Sequence, residues 1–400
     1  MNAMNILPSA FVLGLSPTGL YAIREFGVEG IPVIGVATER QAGSASRYLQ
    51  DVILEPDEDR RVEELIHRAG REHRKPILIP TSDQDLEFII RHRQRLAGSF
   101  VFQESYRDGV AARILTKADF YRLCAEHGVD YPSLYEIEKP DMPSLVGSLD
   151  FPALIKPSRI HDIKSEMAGQ KGWVAQNAAD YARMMELIPD HAGTLLVQEI
   201  VPGPESEITL FAGYFDEKGC AHHSFTCRKL RQFPPGFGSA SLVISEDEPE
   251  TREIAEKFLR EIGFRGIAAA EFKRDPRTGK RKIIEINPRP SLWFSASTAA
   301  GKSVALAAYR DLTGVGPLPE DREQRNGVVW RYALKDFYSA TFYRLKNDFV
   351  LPPPNIAAAR HASKRVSAVG VPGDRAPAWA ELKSYLRKGL RRLLPRKHNN

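Results

Sequence analysis

The chain reads as an α/β protein that opens on a parallel sheet. Three observations predict this. An apolar strand, a glycine-bounded turn and a helix follow one another directly at the start. Strand-type and helix-type patterns then alternate along the chain until about Gly316. Late in that stretch, two strand-like segments flank a strong turn and carry three oxygen-bearing side chains at matching distances from it.

Residues 10–15 form the first strand and run into Gly14-Leu15-Ser16-Pro17-Thr18-Gly19. A helix over 20–26 and a strand over 31–36 complete a β-turn-α-β unit. The turn lacks the second glycine of G-x-G-x-x-G, so the dinucleotide fingerprint is not met. A third strand, 76–80, ends in Thr81-Ser82-Asp83-Gln84-Asp85. Small polar residues there either line a ligand crevice or cap the next helix, 86–95. A helix over 111–127 carries Lys117 and stops at Gly128-Val129-Asp130-Tyr131-Pro132. Residues 150–157 give a buried-type strand with Lys156 at its end, followed by a polar loop over 158–172. Strand 173–175, helix 178–188 and strand 194–198 come next, and Glu199-Ile200-Val201-Pro202-Gly203 breaks the pattern. Residues 206–214 alternate into a strand, and 251–262 form an amphipathic helix. Beyond Gly316 arginine, aromatic and proline content rise, with Pro352-Pro353-Pro354 as a breaker. No internal repeat or low-complexity tract occurs.

The most telling segment is the expected hairpin of 267–272 and 282–287 around Asp275-Pro276-Arg277-Thr278-Gly279-Lys280. Side chains alternate along a strand, so Glu285 and Asn287 share a face, and the hairpin brings Glu271 opposite them. Close carboxylates repel, and a hard cation such as Mg²⁺ relieves the repulsion. Mg²⁺ favours a few carboxylates plus phosphate oxygens, so this pattern suggests a nucleoside triphosphate site with Glu271, Glu285 and Asn287 as metal ligands.

Composition narrows the classes. Four hundred residues call for about two or three domains. A 42% apolar and 27% charged content is that of a soluble globular protein. Cys124, Cys220 and Cys227 are too scattered for a disulfide framework, and no zinc spacing occurs, so reduced thiols in a cytoplasm are expected. Residues 1–9 lack signal-peptide form, and no apolar stretch approaches the ~18 residues of a membrane span. The net charge of +5 is concentrated at the end. Residues 383–397 hold Lys383, Arg387, Lys388, Arg391, Arg392, Arg396 and Lys397 with no acid, while Leu386, Leu390, Leu393 and Leu394 recur at helical spacing. This predicts a short basic amphipathic helix, either docked by its leucines or lying on an anionic membrane or acidic partner.

From Lys117 to Arg289 the order and spacing of motifs resemble the ATP-grasp family. The matching elements are Arg113-Ile114-Leu115-Thr116-Lys117, then Pro152-Ala153-Leu154-Ile155-Lys156-Pro157 and the loop to Gly172. Gln198-Glu199-Ile200-Val201, Glu207, Glu271 and Glu285-Ile286-Asn287-Pro288-Arg289 complete them. The resemblance covers close to half of the chain. It implies an ATP-grasp fold with an N-terminal parallel-sheet domain that precedes the grasp over 1–110. It implies an ATP-grasp domain over 111–315, with a small β-subdomain at about 130–200 and a large one at about 201–315, and an extension over 316–400. By the same resemblance, Lys117 and Lys156 bind the α- and β-phosphates of ATP. Gln198, Glu199, Ile200 and Val201 form the adenine hinge, and Glu207 accepts from the ribose, with Glu205 as its competitor. Glu271, Glu285 and Asn287 hold Mg²⁺ or Mn²⁺. The loop is bulkier than the family usually shows, with only two glycines, which leaves Lys164, Ser165 and Lys171 as unassigned phosphate contacts.

Arg289 directly follows the metal ligands, where a guanidinium can neutralise a phosphoryl group. Lys229 and Arg231, in the basic element 228–236, suit a carboxylate substrate held beside the γ-phosphate. This arrangement resembles the carboxylate–amine ligase branch: ATP phosphorylates a carboxylate, and an amine attacks the acyl phosphate. Such chemistry needs positioning and electrostatics, and no side-chain nucleophile. The expected partners are a small-molecule carboxylate and an amine, with no nucleic acid. The basic tail allows peripheral contact with the inner face of a membrane, and a homodimer is compatible. The alternatives are carboxylation or phosphorylation on the same fold, or a nucleotide-binding regulatory protein at a membrane.

Overall fold

The computed structural model describes residues 7–157, 172–346 and 349–393. It is an α/β structure built on three sheets. Strands β1 (Ala10–Leu13), β2 (Val33–Ala37), β3 (Asp51–Leu54) and β4 (Ile77–Pro80) make a parallel sheet in the order β3-β2-β1-β4. β1, β2 and β4 are buried throughout, which is why they read as unbroken apolar runs. The edge strand β3 and the helix Glu58–Ala69 after it were not foreseen from the sequence. β3 is a short edge strand of four residues, Asp51-Val52-Ile53-Leu54, in which only Ile53 is fully buried, and its apolar run is too brief to mark a strand alone. At the turn after β1 the backbone passes very close to its neighbours. A Cβ on Gly14, where φ is +87°, would lie 2.5 Å from Asp85 Oδ2, and one on Gly19 would lie 2.0 Å from the Gly14 carbonyl. Two glycines therefore serve packing alone. Ser16 and Ser82 cap the helices Pro17–Val28 and Asp83–Leu96, accepting from the Thr18 and Asp85 N–H groups.

The second sheet is antiparallel: β5 (Leu134–Ile137), β6 (Ala153–Pro157), β7 (Trp173–Ala175) and β8 (Leu195–Glu199), in the order β5-β8-β6-β7. The third has seven strands: β9 (Ile208–Phe215), β10 (Ala221–Phe233), β11 (Ser239–Ser245), β12 (Gly266–Arg274), β13 (Arg281–Asn287), β14 (Val328–Arg331) and β15 (Lys364–Ser367). Their order is β13-β12-β9-β10-β11-β14-β15. Residues beyond Gly316 thus supply two strands of the large sheet. Two other expectations change. The helix over 111–127 is two helices, Val110–Leu115 and Lys117–Glu126, because Thr116 between them is extended at φ −84° and ψ 114°. The basic element 228–236 is no free loop, since its first six residues belong to β10.

One hydrophobic core runs from β1 and β4 through the helices Pro17–Val28 and Val304–Thr313 into β9 and β12. The helix Val304–Thr313 has no side-chain cap of its own. Tyr21 Oη accepts from the Ala305 N–H at 2.9 Å, and Glu25 Oε1 from the Leu306 N–H at 3.2 Å. The chain's C-terminal part is tied to the same end: Asp374 accepts from Arg24 Nε at 2.8 Å, Ser46 Oγ at 2.9 Å and the Arg47 N–H at 3.0 Å. Cys124 and Cys227 are buried and Cys220 is exposed, all three unbridged.

Glu25 makes the fold pH-sensitive. Burial lifts its pKa from 4.5 to about 7. Between those values the unfolded chain releases a proton that the fold retains, so stability falls as pH rises from about 4.5 and levels off above about 7. The span corresponds to about 3 kcal/mol. Glu25→Gln keeps an acceptor without the titration. Denaturant midpoints measured at pH 5 and pH 8 are expected to differ for the wild type and to converge for this variant.

Candidate active site

The β12–β13 ladder sets the centre of the site. Glu271 pairs with Glu285 and Ala269 with Asn287, so the expected opposition of carboxylates is observed. The register shifts next to Glu271, because Phe272 pairs with Ile283 and leaves Ile284 as an extra residue. The carbonyl of Ile284 accepts from Lys117 Nζ at 2.8 Å and Tyr121 Oη at 3.3 Å. Lys117 therefore sits behind the carboxylate pair. Its pKa is pushed down by burial and drawn back up by Glu285 and Glu271.

Glu271 is ion-paired with Lys229, Nζ to Oε2 at 2.5 Å, and Lys229 also donates to Gln232 Oε1 at 3.3 Å. Burial raises the Glu271 pKa, Lys229 opposes the rise and Glu285 adds to it. Arg231 is elsewhere. In a regular strand Lys229 and Arg231 would share a face. Here β10 shifts register between them, Lys229 pairing with Val243 and Arg231 with Leu242. Arg231 consequently turns to the helix Ala333–Leu345 and grips Asp336 with Nε at 2.7 Å and Nη2 at 2.8 Å. The expectation that Arg231 meets a substrate carboxylate is corrected: its fork is already filled.

Two cavities meet at this hairpin. The first, of about 200 Å³, lies between the second and third sheets. Lys156, Gln198, Glu199, Ile200 and Val201 line it, as do Glu271 and Glu285. Gln198 Nε2 donates to Tyr121 Oη at 2.6 Å. Ile200 N–H is spent on the Pro152 carbonyl, while the Val201 N–H has no acceptor among the described residues. The Glu199 carboxylate turns away from the cavity. It is fully buried and takes Lys282 Nζ at 2.8 Å on both oxygens, Arg277, and the Ser133 N–H at 3.0 Å. Asp275, hydrogen-bonded to Arg277 and Lys282, is held well below the usual carboxylate range by the Arg277 guanidinium. Of the two ribose candidates, Glu205 is buried and accepts from the Gln232 and Gly236 N–H groups and Tyr343 Oη. Glu207 is exposed. Lys273 was overlooked in the sequence, although it lies two residues from Glu271 on the same face. It donates to the Val201 and Gly203 carbonyls at 2.8 and 2.7 Å, and burial pushes its pKa down to about 8.

The second cavity, of about 640 Å³, opens between the hairpin and the parallel sheet. Its walls include Glu271, Glu285, Asn287 and Arg289, the capping residues Ser16 and Ser82, and Lys335. Arg289 donates to Asp83 through Nε at 2.8 Å and reaches it with Nη2 at 2.7 Å. Lys335 had no signal in the sequence, because it belongs to the segment past Gly316 whose path could not be read. Lys164, Ser165 and Lys171 lie outside the described residues.

No family model matches the chain. A curated D-aspartate ligase of Enterococcus faecium (strain Aus0004) is 24% identical over 257 residues, 61% of this chain and 60% of that protein. The match therefore spans less than two thirds of the relative. An N5-carboxyaminoimidazole ribonucleotide synthetase solved with ADP aligns at a TM-score of 0.61 and 14% identity, over 80% of this chain and 81% of that one. An L-amino acid ligase from Bacillus licheniformis aligns at 0.57 and 14%, over 80% and 78%. The chain has the fold of these structures, the ATP-grasp fold. The ATP-grasp segment carries the two-carboxylate hairpin, and the parallel sheet ahead of it supplies the far wall of the larger cavity. Among the described residues, no helix is long and apolar enough to cross a membrane.

The two cations of β10 should separate in experiment. Lys229→Met removes the cation in contact with Glu271 and leaves only Lys117, held at the Ile284 carbonyl, near the carboxylate pair, and is expected to cost about 3 kcal/mol in chemical denaturation. Arg231→Met leaves Asp336 still paired with Arg331, and a smaller loss of roughly 1–2 kcal/mol is expected.

Proposed function

We propose that the protein is an ATP-dependent ligase that joins a carboxylate to an amine through an acyl phosphate. One observation carries this reading: Glu271, Glu285, Phe237 and Gly238 are shared walls of both cavities. A phosphoryl group bound at the hairpin would face a nucleotide on one side and an acceptor on the other. The hinge cavity suits ATP. The Val201 N–H would offer a donor to an adenine and Lys156, which lines the cavity, would meet the phosphates, while Glu207, exposed and outside the cavity lining, would accept from the ribose. The larger cavity suits an anionic acceptor, since the N-termini of the helices Pro17–Val28 and Asp83–Leu96 reach it beside Arg289 and Lys335.

The hairpin fits a divalent cation. Two carboxylates face each other in register, the amide of Asn287 follows on the same strand, and burial, with the facing Glu285 adding to it, raises Glu271. Mg²⁺ held by Glu271, Glu285 and Asn287 would neutralise charge on the transferring phosphoryl oxygens. Arg289, anchored on Asp83, would stabilise the same group from the acceptor side. In the reaction, a carboxylate oxygen takes the γ-phosphoryl group as ADP leaves. The amine nitrogen then forms the bond to the acyl carbon, and phosphate departs with the C–O bond pair while the nitrogen loses a proton. The relatives named D-aspartate ligase and L-amino acid ligase support the amide-forming version over carboxylation.

Phosphate release is expected to require a carboxylate and an amine together, across a panel of amino acids and small acids. Release with a carboxylate alone would move the reading to phosphorylation. Glu285→Gln and Asn287→Ala are each expected to lower turnover by at least on the order of 100-fold while the melting temperature in EDTA stays near that of the wild type. Undiminished release at saturating Mg²⁺ would remove these residues from the metal site.

A further inference from the structure

The C-terminal helices do not bury their apolar side chains. Eleven large apolar side chains are exposed among the described residues, and only Val28, Leu54, Leu187 and Leu318 lie outside the helices Ala333–Leu345 and Ala376–Leu393. On the second helix the exposed residues are ordered. Trp379, Leu382 and Leu386 are 63%, 46% and 58% exposed and follow the i, i+3, i+7 spacing of one helical face. Lys383 and Arg387 border that stripe one position further round at each turn. The opposite side of the helix is occupied: Glu381 accepts from Tyr332 Oη, which fixes the helix to the start of Ala333–Leu345. The helix is thus held by one face and presents the other, apolar and basic, to its surroundings.

We propose that the helix Ala376–Leu393 docks on the surface of an anionic lipid bilayer. Its charge decides among occupants. Lys383 and Arg387 edge the stripe, so two copies meeting through this face would bring like charges together. A flat apolar stripe edged by long basic side chains, with a tryptophan on it, matches the boundary between acyl chains and anionic headgroups. The helix is also close to the larger cavity, because Lys335, which lines that cavity, feels the charge of Glu381. Docking would hold the acceptor cavity near the membrane, where a lipid-linked or membrane-confined acceptor would be met. The proposal stands apart from the ligase reading, since it needs neither ATP nor turnover.

The test uses the full chain and vesicles of phosphatidylcholine with and without phosphatidylglycerol. At low salt the protein is expected to co-sediment with the anionic vesicles and to be released at high salt. Trp293 and Trp330 are buried and Trp173 is half-buried, so a blue shift of emission on binding is assigned to Trp379 by its disappearance in Trp379→Phe and its persistence in Trp173→Phe. Trp379→Ser with Leu386→Ser removes the apolar stripe, and Lys383→Glu with Arg387→Glu reverses its charged border. Each pair is expected to lower vesicle partition roughly tenfold or more, with unchanged melting temperature. The proposal is overturned if the intact protein ignores anionic vesicles at low salt, or if neither pair alters partition. It is equally overturned if the apolar pair converts a dimer into a monomer and vesicles bind neither form.

Discussion

Two carboxylates held in register across one hairpin impose the main constraint on this molecule. Glu271 and Glu285 cannot separate, because the ladder from Ala269–Asn287 to Arg274–Arg281 fixes their strands. Their repulsion has to be met by nearby cations, and the surrounding structure supplies them. Lys229 reaches Glu271 from two strands away, crossing β9. Lys117 approaches from the other side, held at the carbonyl that the shifted register at Ile284 turns outward. Neither lysine is well solvated, so each depends on the acids as much as they depend on it. A divalent ion arriving at the hairpin would enter a site that is already charge-balanced, and it would have to displace or loosen Lys229. On the proposed reading that competition would favour joint arrival of metal and nucleotide, since phosphate oxygens would give the displaced ammonium a new partner.

The same hairpin governs the hinge. Arg277 from its turn and Lys282 from its second strand close on the buried carboxylate of Glu199 at the end of β8, and Asp275 holds both of these cations in place. Lys273, from the first strand, holds the carbonyls of Val201 and Gly203. The segment 199–203 is therefore fastened to the β12–β13 hairpin by side chains from both of its strands. The distance between an adenine at the hinge and a phosphate at the carboxylates is set by one rigid hairpin, which is what in-line positioning of a transferring group requires. It also explains why an acidic residue sits in this segment with its carboxylate turned from the cavity: Glu199 is an anchor, and on the proposed reading recognition of an adenine is left to the backbone beside it.

How far the sequence could be read follows from the range of each signal. The parallel sheet, the hairpin and the opposition of Glu271 and Glu285 rest on local patterns of alternation and turn chemistry, and these were legible. The path of Arg231 was not, because a register shift reverses a side chain without changing the apolar pattern that marks the strand. The edge strand β3 was missed because its apolar run is too brief to mark a strand alone, and Thr116 broke a helix that its neighbours favoured. Glu205 and Glu207 are indistinguishable in sequence. Only packing separates them, since Glu205 lies under the Gly236 turn while Glu207 stays exposed. Lys335 was beyond reach for a different reason. It joins the cavity through contacts to a part of the chain some fifty residues or more away, and no local pattern announces such a contact.

That distance matters for what the molecule can evolve. The hairpin and hinge come from one continuous stretch, yet the larger cavity draws on three. Its walls are the capped helix starts at Ser16 and Ser82, the hairpin with Arg289, and the segment with Lys335. The last of these is held by strong but remote anchors. Arg231 grips Asp336 on one side, and Asp374 is fixed by Arg24, Ser46 and Arg47 on the other. None of these anchors touches the hairpin's carboxylates. The wall that meets the acceptor can therefore change its lining residues while the phosphoryl-transfer apparatus keeps its charge balance. On the proposed reading, chemistry and selectivity would fall to different parts of the chain, with the acceptor met chiefly by the loops of the parallel sheet and the segment past Gly316.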